Sequence, residues 1–256
     1  SPDTAKSLSR VFGGCPVLPT YSMSECMPIC SAHEAPVVAN LSSVETDTNT
    51  TPAELSVGPP VGCSLAIVDP EGRALPFEQA GEVALKGVGV MKAYRGICIQ
   101  DSHTASGWFR TGDVGKLDRR GNLTLTGRLK EMIKRGGEQV WPNEIDKVVE
   151  RVKGVAVAVT FGVPNSLWGE EVAVAVVQSP TNFVADTLLR QDILDACSNE
   201  LVPSAIPSQV VFVQSTDALL RGSTGKYLRT RMAEHLGVKA VDVAALKAME
   251  FLANGE

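Results

Sequence analysis

Two valine-rich runs, VAVAVTFGV at 155–163 and EEVAVAVVQ at 170–178, constrain this chain most strongly. Short apolar runs rich in β-branched residues read as strands. Around them the periodicity is helical. Pro142 stands where a first helical position favours it, with Glu144 in the same turn. Ile145, Val148, Val149 and Val152 then follow at i, i+3, i+4 and i+7, the stripe of an amphipathic helix. Residues 186–201 predict a second helix, PSQVVFVQS a third strand and KYLRTRMAEHLGV a third helix. This alternation, from about residue 128 onward, describes a small α/β sheet domain.

The first half is richer in strands. GCSLAIVD and GEVALKG are short β-like runs, and DPEG at 69–72 is a turn with Pro at its second position. DRRG at 118–121 turns the chain into NLTLTG, where Leu123 and Leu125 alternate with polar neighbours. Residues 3–12 read as the end of a helix, GGCPVLPTYS as a buried strand leaving a Gly turn, and residues 42–56 as a long polar surface loop. The C-terminal DVAALKAMEFLANGE reads as a last helix.

Charge narrows the function classes. The formal net charge is −5, which argues against a nucleic-acid partner, since that would want a basic face. No apolar run approaches the roughly 18 to 20 residues of a membrane span. The six cysteines have irregular spacing, and Cys26 and Cys30 (C-x3-C) have no companion pair at zinc-ligand spacing. They read as buried free thiols of a reducing compartment, so an intracellular location, cytoplasmic or organellar, is expected. His33, His103 and His235 sit in no motif and read as structural.

Against this acidic background GRLKEMIKRGG at 127–137 is locally basic, with Arg128, Lys130, Lys134 and Arg135 running into a Gly pair. It lies where the β-rich half gives way to the second domain, a kind of boundary that often carries ligands. TYSMSE at 20–25, GWFRTGD at 107–113 and LRGSTGKYLR at 220–229 join it in a fixed order, with GEVALKGVGVMKAY at 81–94 and VPNSLWGEE at 163–171 between them. Together these six segments resemble the adenylate-forming superfamily of acyl-CoA synthetases, luciferases and peptide-synthetase adenylation domains. RLKEMIKRGGEQVWPNEID is closer in character to CoA ligases of the oxalate, coumarate and medium-chain type.

The resemblance implies an α/β fold: residues 1–127 as the β-rich end of the large AMP-binding domain, and 128–256 as a small mobile α/β lid domain, with a hinge near Lys130. It implies ATP, Mg²⁺ and CoA as cofactors and a carboxylic acid as substrate. By residue, it places Tyr21 beside adenine, the Ser24 hydroxyl on a phosphate oxygen, and Glu25 on Mg²⁺. Asp113 would accept both ribose hydroxyls, for which a carboxylate has the paired acceptors, and Arg128 would meet ribose and phosphate. Gly136 and Gly137 would let backbone approach the narrow pantetheine arm of CoA. Lys134 reads either as a phosphate contact or as solvated, and Arg135 as surface. Lys226 would bridge carboxylate and α-phosphate during adenylation, so the catalytic set is Lys226, Glu25 and Ser24.

The segment STGK is not a Walker phosphate loop, because Tyr227 follows the lysine where Ser or Thr belongs. Some letters depart from the family pattern: Ser22 for Gly, Ser24 for Thr, Leu220 for Pro, Gly222 for Thr and Asn165 for an acid. The family's glycine-rich phosphate loop has no counterpart in the sequence, so the N-terminal half of the same enzyme is the expected partner and the isolated chain is expected to be inactive. Two alternatives remain open at this level. One is an adenylation domain that loads a carrier-protein thiol; the other is a non-catalytic structural subunit that has kept the fold.

Overall fold

The structure is a computed structural model and describes residues 8–32 and 56–240. The chain divides into two compact units, Ser1–Leu129 and Lys130–Glu256. The polar stretch read as a loop at 42–56, except for Ser56, which begins a strand, lies outside the described residues, as do His33, the C-terminal segment read as a helix and the beginning of the helix read at 3–12; residues 8–11 are helical.

In the first unit, β1 (Thr20–Met23) and β2 (Cys26–Ser31) form an antiparallel hairpin, with Tyr21 opposite Cys30. Strands β3 (Ser56–Gly58), β4 (Ser64–Val68), β5 (Gly81–Lys86), β6 (Phe109–Leu117) and β7 (Leu123–Arg128) build an antiparallel sheet in the order β3-β7-β6-β5-β4. One core joins hairpin and sheet: Tyr21, Cys26, Ile29 and Cys30 pack with Ile67, Val83, Leu85, Phe109 and Leu123. The strand read at GGCPVLPTYS begins only at Thr20. Pro16 and Pro19 have no amide to give a ladder, and most of residues 13–19 is exposed.

In the second unit, β8 (Ile133–Arg135) and β9 (Glu138–Val140) form a tight hairpin, followed by α1 (Pro142–Val149). Strands β10 (Val155–Asn165) and β11 (Gly169–Gln178) pair antiparallel along their whole length. Helix α2 (Asp186–Glu200) leads to β12 (Gln209–Val213), which lies parallel to β11 on its other side. The valine-rich pattern now has its cause. Val172, Val174 and Val176 pack with Ile145, Val149, Leu189 and Ile193 of the two helices. Ala173, Ala175 and Val177 face the opposite core, with Phe161, Leu219 and Met232. A strand covered on both faces loses polar alternation and keeps only a size alternation.

The helix read over KYLRTRMAEHLGV is shorter than its pattern suggests. Tyr227 pairs backward with Arg221 in an isolated bridge, Arg229–Arg231 form one 3₁₀ turn, and only Met232–Leu236 is α-helical (α3). Gly237, at φ 66°, closes it in the left-handed conformation.

A buried ion pair ties this segment to the rest of the unit. Arg229 donates from Nη2 to Asp146 Oδ2 of α1 at 2.6 Å and to Asn143 Oδ1 at 3.0 Å, and from Nη1 to the Thr160 carbonyl at 2.9 Å. Asp146 Oδ1 accepts the Thr160 amide at 2.7 Å. Both side chains are nearly nine-tenths buried. Truncating one partner of such a pair costs about 3–5 kcal/mol, because the other charge stays buried alone. Asp146→Ala and Arg229→Met are each expected to lower stability by that order in urea unfolding of the second unit. The paired replacement Asp146→Leu with Arg229→Met is expected to cost less than the two single changes added together.

Candidate functional site

The clearest polar constellation in the first unit is built on an irregularity in β6. Glu82 of β5 stands opposite Val114, and Ala84 opposite Arg110, so Val83 alone faces Thr111, Gly112 and Asp113. Such a bulge re-aims side chains, and its free backbone groups need partners. Side chains supply them. Glu82 Oε1 accepts the Gly112 amide at 3.0 Å, and Thr111 Oγ1 accepts the Asp113 amide at 3.1 Å while donating to the Val83 carbonyl at 2.8 Å. Glu82 is itself buried and neutralised by Arg110, 2.6 Å away. Gly112 takes φ 74°, the left-handed region that favours glycine. Each letter of FRTGD therefore has a mechanical task, and their joint product is the position of Asp113. The Gly-Asp pair is not in a loop.

Asp113 is buried and faces two of the sequence-derived candidates. Tyr21 donates its hydroxyl to Asp113 Oδ2 at 2.6 Å, and Arg128, at the end of β7, approaches Oδ1 with Nε at 2.9 Å. Burial, and then the Asp113 carboxylate, push the Tyr21 hydroxyl far above its ordinary range, so it stays a donor. Arg128 is half exposed, which leaves its guanidinium edge accessible to a further anion.

Ser24 and Glu25 form the turn between β1 and β2, with Ser24 exposed and Glu25 half-buried. Met91 donates its amide to the Glu25 carbonyl at 2.7 Å, and Tyr94 donates its hydroxyl to Glu25 Oε1. Glu25, first of all, pushes the Tyr94 hydroxyl up to about 12. Tyr94 was not among the residues expected from sequence, although it closes the GEVALKGVGVMKAY segment. Among the described residues no group of three or more His, Cys, Asp or Glu could hold a metal by itself. Mg²⁺ is commonly held by one or two carboxylates together with substrate phosphates. A single Glu25 beside an exposed hydroxyl fits that mode.

In the second unit the basic stretch divides by role. Lys130 and Lys134 are exposed, and the Lys134 amide donates to Glu170 Oε2 at 2.8 Å. Gly136 and Gly137 turn the β8–β9 hairpin at φ 59° and 89°. Arg135 departs from its surface reading. It is half-buried, and its Nη1 lies within hydrogen-bond reach of the Pro203, Ser204 and Ile206 carbonyls, holding the hairpin to that turn. Trp168 lies against Gly136, where a Cβ would come within 3.0 Å of its ring, and the ring is half-exposed. It too was missed from sequence; a tryptophan in the polar turn of VPNSLWGEE was the available signal.

Lys226 is exposed, beyond a Gly222–Gly225 turn. A pocket of about 310 Å³ in this unit is lined in part by Lys130, Glu131, Glu170, Arg229 and Glu234. Three carboxylates against two cations, one of them already held by Asp146, do not make a phosphate site. Asn165 explains itself. Its Oδ1 accepts the Leu167 and Trp168 amides at 2.8 and 2.9 Å, and its Nδ2 donates to the buried Glu171. An acid here would face a second acid.

The structure thus brings Tyr21, Asp113 and Arg128 together, and sets Glu25 with Tyr94. Lys130, Lys134, Gly136, Gly137 and Lys226 belong to the other unit. The cysteines are free; Cys26, Cys30 and Cys197 are buried and Cys63 partly so, whereas Cys15 and Cys98 are exposed, contrary to their reading as buried. Among the described residues no helix is long and apolar enough to cross a membrane.

Comparison with known proteins follows the same division. A family model for AMP-binding enzymes matches residues 1–95, and one for the AMP-binding enzyme C-terminal domain matches residues 144–226. A probable CoA ligase of Humulus lupulus, CCL9, is 36% identical over 92% of this chain and 41% of its own length. An oxalate–CoA ligase of Arabidopsis thaliana is 34% identical over 92% of this chain and 42% of its own. Among solved structures, the o-succinylbenzoate coenzyme A synthetase of Bacillus subtilis in complex with ATP and magnesium ion superposes with a TM-score of 0.69 at 26% identity, over 91% of this chain and 44% of that one. The chain spans about two fifths of the length of these relatives.

The titrations of the first unit give a test of its geometry. Burial, then the neighbouring Cys63 and Cys26 thiols, push the Cys30 thiol from 9 up to about 12. Tyr21 is displaced in the same sense. In both cases the folded state keeps a proton that the unfolded chain gives up. Their stabilisation is complete below pH 9 and is lost as the pH rises, first through Cys30 and then, above 10, through Tyr21. The denaturation midpoint of the first unit is expected to fall between pH 9 and 11, and to fall less steeply in Cys30→Val and Tyr21→Phe variants.

Proposed function

The chain belongs to the adenylate-forming superfamily of AMP-binding enzymes, and from that premise we propose that the whole protein activates a carboxylic acid with ATP and passes the acyl group to the thiol of CoA. The observation that carries this reading is Asp113, a buried carboxylate held between a buried tyrosine and an accessible arginine. A ribose diol needs two acceptors side by side, an adenine needs an aromatic face, and a phosphate needs a cation. Asp113 offers the acceptors and Arg128 the cation, and Tyr21, buried with its hydroxyl on Asp113, would border adenine by its remaining edge. The two relatives named as CoA ligases favour CoA over a carrier-protein thiol.

In the first half-reaction a carboxylate oxygen of the acid attacks the α-phosphorus of ATP. The bond from that phosphorus to the bridging oxygen breaks, and pyrophosphate leaves with the electron pair, giving acyl-AMP. Negative charge builds on the α-phosphoryl oxygens, and a preplaced cation stabilises such charge most where water is excluded. Lys226 supplies that ammonium. Glu25 would hold Mg²⁺, with the Ser24 hydroxyl beside it on a phosphate oxygen; the ion supplies neutralisation of the polyphosphate charge. Tyr94, by donating to Glu25, orients its carboxylate.

In the second half-reaction the CoA sulfur, its proton given up, attacks the acyl carbon. The acyl–oxygen bond breaks and AMP departs. The exposed Gly136–Gly137 turn, walled by Trp168, suits the slender pantetheine arm, and Lys134 lies on the same hairpin. Lys130, exposed at the first position of the second unit, serves as the hinge between half-reactions. Residues up to Leu129 act as the end of the nucleotide-binding domain and those from Lys130 onward as its lid, a division two residues beyond the 127/128 boundary read from sequence. The phosphate loop and most of the acyl pocket would come from the N-terminal half expected from the resemblance.

ATP–pyrophosphate exchange on the full-length protein, with oxalate, benzoate and octanoate as dicarboxylic, aromatic and aliphatic probes, tests the reading. Exchange with one of the acids is expected. Lys226→Ala should reduce it about 100- to 1,000-fold, the range seen when one transition-state charge stabiliser is removed. Asp113→Ala should raise the KM for ATP. A folded full-length protein with no exchange would instead support a scaffold that has lost the chemistry.

A further inference from the structure

Lys226 stands beyond an exposed turn, yet its backbone is fixed from both sides. The Gly222 amide donates to its carbonyl at 2.8 Å, and Arg221 donates from Nη1 to the carbonyl of Gly225, immediately before it, at 2.8 Å. The Gly225 amide closes the turn on the Gly222 carbonyl at 2.9 Å, and the Leu228 amide reaches back to the Leu220 carbonyl at 2.9 Å. Arg221 does more than hold a carbonyl. Its guanidinium stacks 4.2 Å from the Tyr227 ring centroid, and its Nη2 donates to the Tyr227 hydroxyl at 2.8 Å. One planar side chain therefore grips the residue before the lysine and the residue after it. Arg221 is exposed, so this grip adds little to the core.

We propose that Arg221 and Tyr227 form a clamp that holds Lys226 in the geometry adenylation requires, making them positioning residues for the first half-reaction and not for the second. This rests on the role given to Lys226 above. A lysine has four rotatable side-chain bonds; fixing both flanking carbonyls removes the backbone share of its freedom before the ammonium meets the developing charge. The rigid fork of Arg matters here, because lysine cannot span a carbonyl and a hydroxyl while stacking on the ring. The clamp also accounts for a turn that needs no proline at position 220.

The test separates the half-reactions in the full-length protein. One arm is ATP–pyrophosphate exchange with the acid among oxalate, benzoate and octanoate that supports it. The other is thioester formation from the synthetic acyl-adenylate of that acid and CoA. Arg221→Ala is expected to lower kcat for exchange about 100-fold, the cost of misplacing a catalytic group by about an ångström, with KM for ATP unchanged. Thioester formation should stay within twofold, which also shows that the variant is folded. Tyr227→Phe should lower exchange by a smaller factor, and Arg221→Lys should not restore it. The double variant Arg221→Ala with Tyr227→Phe should be no worse than Arg221→Ala, since both break one device.

Unchanged exchange in Arg221→Ala, while Lys226→Ala abolishes it, would overturn the clamp and leave the adenylating reading standing. A raised KM for ATP rescued by Arg221→Lys would make Arg221 a direct phosphate contact and overturn it as well. An equal fall in both half-reactions would reduce the pair to a structural role. Absence of exchange in the unmodified protein with all three acids would remove the reading and the clamp together.

Discussion

A buried carboxylate that accepts a backbone amide from a neighbouring strand, and is neutralised by an arginine, is the device on which both units depend. In the first it is Glu82, taking the Gly112 amide and facing Arg110. In the second it is Asp146, taking the Thr160 amide and facing Arg229. A buried charge pair adds little net stability over apolar residues of the same shape, but it tolerates no slippage, because each misplaced group is left desolvated and unpaired. The device therefore specifies position. One residue along from Gly112 is Asp113, and three residues before Arg229 is Lys226. The two side chains assigned the most demanding chemistry are each placed by the chain segment that such a knot pins.

The basic stretch at 127–137 shows how little local charge says until its partners are known. Four cations within eight residues do four different things. Arg128 meets Asp113, Lys130 stands exposed at the division between units, Lys134 offers its amide to Glu170 while its ammonium stays outside, and Arg135 turns inward to carbonyls. Arg suits the two anchored positions because its planar fork can satisfy several acceptors at once, whereas a Lys head is strongly hydrated and readily left in water.

What could be read from sequence tracks how local the cause is. Strands β10 and β11 and helix α1 announce themselves through runs and stripes that the structure reproduces, since burial on a face leaves a periodic mark. The shortening of α3 to Met232–Leu236 was not legible: the pull on Tyr227 comes from Arg221, six residues back, and that on Arg229 from Asp146, eighty-three residues back. The candidate residues at 21, 25, 113, 128 and 226 were reached through motif resemblance, not through periodicity. Tyr94 and Trp168 escaped because their importance is a matter of what they touch. A tyrosine at the end of an apolar segment and a tryptophan in a turn carry no spacing signal that points to Glu25 or Gly136.

Three of the departures from the family pattern, at 165, 220 and 222, have a local structural account in their neighbours. Asn165 keeps the turn-forming carbonyl oxygen of the acid it replaces, for the Leu167 and Trp168 amides, and its amide nitrogen faces Glu171 without repulsion. Gly222 sits where a Cβ would come within 3.3 Å of the Leu228 side chain, so a bulkier residue would have to push Leu228 aside. Leu220 gives up the stiffness of a proline but packs on the core formed by Leu219, Met232 and Ala233, and Arg221 supplies rigidity from outside the turn. The altered letters leave the backbone of Lys226 held, by the Gly222 amide at its own carbonyl and by Arg221 at the carbonyl before it. That support is what the role proposed for Lys226 requires of the turn.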